Sequence, residues 1–534
     1  MNSDTTSPHP ASPRRKAMPA ALAREIELKL IAPPHVIDAL AAAPLIVAHA
    51  RNAGTVRNLD SVYFDTPDRT LAGAGFTLRV RRVGRKRIMT VKSAGGGAGD
   101  GLVGRGEWEV EITGGTPDLA ALPEAVPQAF RAILAEAALE PVVTTQVRRR
   151  ARKLDLPNAC IELAIDSGTV EAGGRTVALS EIELELVSGE VGALYDVALD
   201  MLECGPAEMS LYSKAARGFD LAFGRPPAWR KPRRAAIARS DPLDDAFAAM
   251  LSEALRHFLE NRPAALDGRD AEGIHQTRVA LRRLRTILKV VAGATGSAAA
   301  ADFAEDAKWL AGEQGDARGW DVFLAETVPP VEAACADPSG FDAVRAAAKP
   351  LHEESYARAG AAFGDPRALR LPLALARWIE LRGWRQGAGP EALASLDGPA
   401  SGLARDVLDR QFRKVRKRGR RFGKLDANGR HAVRLAVKKL RYLSDFLLPL
   451  CTKERKAAAF AKALSRLQDG LGRFNDIATT DQLLDRLAVS DAPAALHRAC
   501  GEIRGWQARD VEAMEEKLRA GWKAFAAAKA PWAD

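Results

Sequence analysis

The feature that most constrains this chain is a change of period near residue 224. From Arg24 to about Phe223, polar and apolar residues alternate: Glu25-Ile-Glu-Leu-Lys-Leu30, Thr77-Leu-Arg-Val-Arg81, Glu107-Trp-Glu-Val-Glu-Ile112 and Glu181-Ile-Glu-Leu-Glu-Leu186. Period two marks strands with one apolar and one charged face. Turn-forming clusters separate the runs at Asp65 to Asp68, Gly95 to Gly101, Thr113 to Pro117, Asp166 to Gly168 and Ala172 to Gly174. An antiparallel sheet or barrel follows, with helices expected over Pro33 to Ala43 and Leu119 to Glu140. Beyond the Pro-rich basic stretch Gly224 to Arg234 the alternation stops. Long Ala/Leu/Arg/Glu segments with a period of about 3.6 then run to the end, so this half is helical.

The 534 residues suffice for several domains at about 150 residues each. We divide them into a disordered tail (1–21), a strand-built domain (22–224), a linker (225–238) and a helical domain (239–525). Hydrophobic content of 47% with 27% charged residues excludes a fully disordered or fibrous chain. No apolar run reaches the roughly 18 residues of a transmembrane helix, so no membrane partner is expected. Met1 to Ala20 is Ser/Pro-rich and carries Arg14, Arg15 and Lys16 without the apolar core of a secretory signal. Five cysteines stand singly, which argues against a disulfide framework and for a cytoplasmic location.

The charged faces of the strands decide the chemistry. Glu25, Glu27 and Lys29 share one face, as do Arg79 with Arg81, Glu107 with Glu109, and Glu181 with Glu183 and Glu185. Glutamates repeating on one face repel unless cations lie between them. Carboxylate oxygens are what Mg²⁺ or Mn²⁺ requires, and Arg and Lys on other strands suit phosphate. Lys92, Arg105 and Arg149 extend the basic set. Gly99 to Gly104 formally fits GxGxxG, but it joins two strands instead of opening a helix, so no dinucleotide site is expected there.

Glu25-x-Glu27-x-Lys29 resembles the ExExK signature of the CYTH superfamily, the triphosphate tunnel metalloenzymes. The ordered series that follows strengthens the resemblance: Tyr63-Phe-Asp65-Thr-Pro67, Leu78-Arg79-Val-Arg81, Met89-Thr-Val-Lys92, Glu107-Trp-Glu109, Ile161 to Gly168, Glu181-Ile-Glu183-Leu-Glu185 and Ser213-Lys214-Ala-Ala-Arg217-Gly218. It is most similar to the inorganic triphosphatase branch. The resemblance implies an eight-stranded antiparallel tunnel with its charges pointing inward. It implies metal ligation by Glu25, Glu27, Glu183 and Glu185, with Mg²⁺ or Mn²⁺ as cofactor. Arg79, Arg81, Lys92, Arg105 and Arg149 would bind the triphosphate. Lys29, Glu107, Glu109, Lys214 and Arg217 would take part in catalysis, the last two closing on the substrate from a short helix. Asp166 reads equally as a turn residue or a metal ligand.

The helical half contains a repeat. His275-Gln-Thr-Arg-Val-Ala-Leu-Arg-Arg-Leu-Arg285 resembles His431-Ala-Val-Arg-Leu-Ala-Val-Lys-Lys-Leu-Arg441. His275, Arg278, Arg282, Arg285 and Lys289 form one helical stripe, and His431, Arg434, Lys438 and Arg441 form another. Neither histidine has a His or carboxylate at i+4, as a metal pair would need. Between the stripes, Arg413 to Arg421 contains no acid. The pattern resembles the CHAD domain, which implies a pair of four-helix bundles binding inorganic polyphosphate. The second copy has Phe474-Asn-Asp476 where the first has Arg318-Gly319, a departure from the Arg-Asp the family usually shows. The stripes hold almost no aromatics for base stacking, which disfavours nucleic acid.

The fold class expected is therefore α+β multidomain: a β tunnel followed by an all-α pair of bundles. The function expected is metal-dependent hydrolysis of inorganic triphosphate, with polyphosphate bound by the helices. Three alternatives stand beside it: a tunnel acting on thiamine triphosphate or a nucleotide, one that cyclises ATP, and a non-catalytic polyphosphate-binding or granule-associated protein.

Overall fold

The computed structural model describes residues 24–93, 104–134, 138–452, 454–489, 491–509 and 511–532. The tail expected over 1–21 and the glycine loop at 95–101 lie outside the described residues, as do the side chains of Glu25 and Arg105.

Among the described residues, nine strands form the N-terminal half: β1 (Arg24–Ile31), β2 (Thr55–Asp65), β3 (Phe76–Val83), β4 (Lys86–Ser93), β5 (Gly104–Ile112), β6 (Glu140–Leu156), β7 (Ala159–Ala172), β8 (Arg175–Gly189) and β9 (Glu208–Met209). The order is β5-β4-β3-β2-β6-β7-β8-β1-β9, and β1 also pairs with β5. That pairing, with Glu25 opposite Arg105, closes β1 to β8 into the eight-stranded antiparallel barrel, and the two-residue β9 extends β1 at its far end. The apolar residues of the alternation point outward. Leu28, Leu30, Leu163, Ile165, Ile182 and Leu184 join one core with Leu194, Val197 and Met201 of the Gly192–Leu202 helix. The charged residues are thereby left facing the interior. A barrel of eight strands has room inside only for side chains or one small ligand.

Two sequence expectations change. Pro33 to Ala43 is helical over 34–41, as expected, but Leu119 to Glu140 is not one helix: a single turn at Leu119–Ala121 and the helix Gln128–Leu134 are separated by Pro123 and Pro127, and Glu140 already begins β6. Asp166 to Gly168 is not a turn: β7 runs through it. Gly168 is there for space, since a Cβ would lie 1.9 Å from the Gln146 carbonyl oxygen on β6.

Residues 225–238 have no helix or strand, yet the segment is strapped down. The Arg230 N–H donates to Asn261 Oδ1 (2.8 Å), and its carbonyl accepts from Asn261 Nδ2 (3.1 Å). Helices fill the rest. Residues of both sequence copies share one core, Leu281, Leu284 and Leu288 with Val433, Val437 and Leu440, and a second core gathers around Trp320, Phe341 and Leu484. The two halves are welded as well. The Pro366–Glu380 helix packs on Gly192–Leu202. Arg262 of the Leu243–Asp267 helix, 3% exposed, pairs with Glu208 of β9 at 2.9 Å.

Candidate active site and anion groove

Register brings the interior charges together. Lys29 lies opposite Glu183, Arg149 opposite Asp166, and Asp166 opposite Glu181. Asp166 and Glu181 are completely buried. Arg149 reaches Asp166 with two hydrogen bonds (2.7 and 2.6 Å) and also donates to Glu183. Lys29 stands 3.6 Å from both Glu181 and Glu183.

Lys214 completes this group from outside the sheet. Ser213 caps the Lys214–Phe223 helix, accepting from Ala216 N–H, and so places Lys214 in the first turn. Its ammonium meets Asp166 (2.9 Å), Glu183 (2.8 Å) and Glu181. Three carboxylates thus face three cations. Burial works against each charge, but the partners win: Lys214, Arg149 and Lys29 hold Glu183 well below the usual carboxylate range, and the carboxylates push Lys214 and Arg149 above their ordinary values. Lys214 is therefore protonated at neutral pH.

A second group lies on β3 to β5. Arg79 approaches Glu107 (3.5 Å) and Glu109 (3.6 Å), Lys92 meets Glu107 at 2.9 Å, and Thr90 donates to Glu109 at 2.9 Å. Arg81 donates to Ser61 at 3.2 Å. Burial, then the neighbouring Arg79, push Arg81 down to about 10. The buried Tyr63 phenol is lowered despite its burial, through Arg79, Arg81 and Lys214. Positive charge exceeds negative at this point, as an anion site requires.

Of the four glutamates expected to bind metal, the structure brings Glu183 into the buried group. Glu27 and Glu185 pair in register with each other, and Glu185 is exposed. Among the described residues, the carboxylates whose oxygens come within 4.8 Å of one another are Asp166, Glu181 and Glu183. Asp166, which the sequence left open between a turn residue and a metal ligand, is a strand residue of this cluster. Glu181 was seen on the right face, but the resemblance carried only its neighbours over. Alternation alone marks Glu181, and the register with β6 marks Asp166. Arg217 is half-buried and lies within electrostatic reach of Tyr212.

The helical stripes face one another. Arg278 and Arg282 of the Glu272–Thr295 helix lie within electrostatic reach of Arg434 and Lys438 of the Ala427–Cys451 helix. Burial and then these like charges push Lys438 down to about 8 and Arg278 down to about 10, and His275 is lowered by burial and Arg318. The Arg282 and Arg285 Nε atoms are buried without a hydrogen-bond partner. The stripes then divide. Arg285 and Lys289 are joined by Lys439 and Lys414, which the sequence stripe did not include. Arg441 and Arg283 both lie within electrostatic reach of Asp445. His431 is exposed at the start of its helix.

Comparison with known proteins bears on both halves. The CYTH domain model matches residues 23–218, and the CHAD domain model matches residues 249–485. A Haemophilus influenzae protein named inorganic triphosphatase is 32% identical over 204 residues, 37% of this chain. The match spans 54% of that relative's length. The crystal structure of a CHAD domain from the plant Ricinus communis is 31% identical, covering 57% of this chain and 98% of that one, with a TM-score of 0.48. A Hippeastrum protein described as an adenylyl cyclase with a dominant triphosphatase activity is 23% identical over 38% of this chain and 96% of that one, at a TM-score of 0.28.

Proposed function

Because the chain belongs to the CYTH family through residues 23–218 and to the CHAD family through residues 249–485, we propose that its tunnel hydrolyses inorganic triphosphate to pyrophosphate and phosphate. The helical groove then binds inorganic polyphosphate. The observation that carries the reading is the tunnel interior, where buried carboxylates and several arginine and lysine side chains share one enclosed space.

Phosphoryl transfer asks for neutralised phosphate oxygens and a positioned water. Arg79 and Arg81, beside the lowered Tyr63 phenol, are the groups for the phosphate oxygens. Lys214 stays protonated and so serves as a fixed positive charge toward the leaving pyrophosphate, not as a base. Glu107 and Glu109 are the carboxylates nearest the arginines and would accept a proton from the attacking water. The donor set fits a hard divalent cation. Asp166, Glu181 and Glu183 offer clustered oxygens, and Glu181 Oε2 is buried with no hydrogen-bond partner. Mg²⁺ or Mn²⁺, held there with Glu27 and Glu185, would supply charge neutralisation on the triphosphate.

The test is phosphate release from inorganic triphosphate with Mg²⁺ or Mn²⁺, set against ATP, thiamine triphosphate and long-chain polyphosphate. Preference for the short inorganic substrate, abolished by chelator, is the expected result. No release from any of the four, with polyphosphate still bound, would leave a polyanion-binding protein without this activity.

A further inference from the structure

Among the described residues, two that are not glycine adopt a positive φ, and both are arginines: Arg69 (φ 59°) and Arg382 (φ 50°). L side chains rarely adopt this conformation, and glycine or asparagine would take it more easily. An arginine there carries a backbone cost that the contacts of its guanidinium must offset.

Arg69 ends the loop after β2. The buried Asp65 holds that loop, accepting from the N–H groups of Thr66 (2.7 Å), Leu71 (2.9 Å) and Ala72 (3.0 Å). The loop is thus a fixed base. From it the Arg69 side chain crosses to the Lys214–Phe223 helix. Its Nη2 donates to the Phe219 carbonyl, and its guanidinium lies 3.7 Å from the Phe223 ring centroid and 5.4 Å from that of Phe219. Elsewhere the helix has no slack. A Cβ at Gly218 would meet Val143 Cγ1 at 2.2 Å, so the helix lies flush on β6. Arg175 donates to the Leu221 carbonyl at 2.9 Å. Cations at the last turn also complement the negative end of the helix dipole. The first turn of the same helix carries Lys214, whose ammonium meets three buried carboxylates.

We propose that Arg69 is a positioning residue for the tunnel: a strained clamp on the far end of the Lys214 helix that keeps the Lys214 ammonium in register with Asp166, Glu181 and Glu183. The helix is then a fixed wall of the tunnel and not a closing lid. The catalytic part of this inference rests on the hydrolase reading above. Arg382 supplies the control. It too is strained, but it anchors Asp244 (3.1 Å) and Asp245 (2.9 Å) in the helical half.

The experiment compares full-length wild type, Arg69→Asn, Arg69→Lys and Arg382→Asn. Asparagine tolerates positive φ and removes the guanidinium; lysine keeps a cationic donor. Two readouts are taken: kcat/KM for inorganic triphosphate, and backbone hydrogen exchange of residues 214–223. Arg69→Asn should lower kcat/KM by roughly tenfold to a hundredfold, the scale of a misplaced catalytic group. It should also speed exchange across the helix, and Arg69→Lys should recover part of both. Arg382→Asn should leave both unchanged. Unchanged exchange with kcat/KM within twofold in Arg69→Asn would overturn the clamp. An equal loss in Arg382→Asn would also overturn it, by tracing the effect to general destabilisation. If wild type releases no phosphate, the hydrolase reading fails, and faster exchange confined to Arg69→Asn still decides for the clamp.

Discussion

The tunnel and the groove both collect cations, but they keep them differently. Lys29, Arg149 and Lys214 each lie against buried carboxylates supplied by the same barrel. In the groove, Arg278, Arg282, Arg434 and Lys438 lie chiefly against one another. The consequence is visible in proton affinities of opposite sign. Lys214 and Arg149 are pushed up by their partners, whereas Lys438 and Arg278 are pushed down by burial and like charge. The tunnel charges are balanced by the fold itself and stand ready without ligand. The groove stores repulsion that a bound polyanion would relieve, so binding energy and folding energy trade against each other there.

The sharpest way to break this comparison is to remove one charge from each region. Glu183→Ala leaves Lys29, Arg149 and Lys214 short of a partner. Loss of one member of a buried ion network costs about 3–5 kcal/mol, and triphosphate hydrolysis should vanish with it. Lys438→Met keeps the aliphatic stem but removes a repelled charge, so stability should hold or rise by about 0.5 kcal/mol. Urea denaturation of both variants gives the answer, and equal destabilisation would erase the distinction. The Glu183 contribution has a definite pH window. Its folded pKa is depressed, so the stabilisation is complete at neutral pH and is lost only as acid passes below the ordinary carboxylate range.

Next in size is polyphosphate affinity. Replacing Arg282, Arg285, Lys438 and Arg441 together by Ala should weaken binding about a hundredfold at moderate salt and flatten the salt dependence by up to about 0.7–0.9 per lost phosphate contact. Hydrolysis in the tunnel should be untouched. The geometry sharpens the expectation further. Arg441 has a carboxylate, Asp445, within electrostatic reach, so Arg441→Ala alone should cost less than Lys438→Ala. Filter binding across a salt series separates the two.

How much of this was legible follows the same division. Alternation pointed to a sheet or barrel, because it is local to a strand, whereas the closed tunnel with inward charges came from the resemblance to the tunnel enzymes. Asp166 stayed open between turn residue and metal ligand. Asp-Ser-Gly reads as a turn, and only the approach of Gln146 to Gly168 shows that the glycine belongs inside a strand. The stripes were legible at one residue in three or four because helix geometry is regular. Which residues they face was not, since Lys414 and Lys439 join Arg285 and Lys289 only through packing between distant helices. The basic linker read as a spacer from its prolines, but Asn261 grips its backbone from a helix 31 residues on.

A smaller effect concerns pH. Lys438 is pushed down to about 8, so it carries most of its charge at pH 7 and loses most of it by pH 9. Bound phosphate favours the protonated form, so polyphosphate affinity should fall a few-fold over that interval, as one cationic contact is lost. Lys438→Arg should remove this slope while keeping the affinity at pH 7, because a guanidinium holds its proton throughout. A slope that survives the substitution would assign the titration to another group.

The smallest effect tests the two copies of the helical repeat against each other. The first copy places Arg318 near His275 and Arg278, whereas the second places Asp476 near Arg434 and Lys438. One copy therefore adds a cation beside its stripe and the other partly neutralises its own. If the groove binds polyphosphate by summed positive potential, Asp476 opposes binding. Asp476→Asn keeps the size and the hydrogen-bonding oxygen and removes only the charge. It should tighten polyphosphate binding about two- to threefold, the size of a single screened charge contact near a protein surface. The Arg434 guanidinium and the Lys438 ammonium would then repel one another more strongly in the free protein, so the variant should also be slightly less stable without ligand. Tighter binding together with lower free stability is the signature of stored repulsion. Weaker binding would mean that Asp476 orients Arg434 and Lys438, and that the second stripe is built like the tunnel after all.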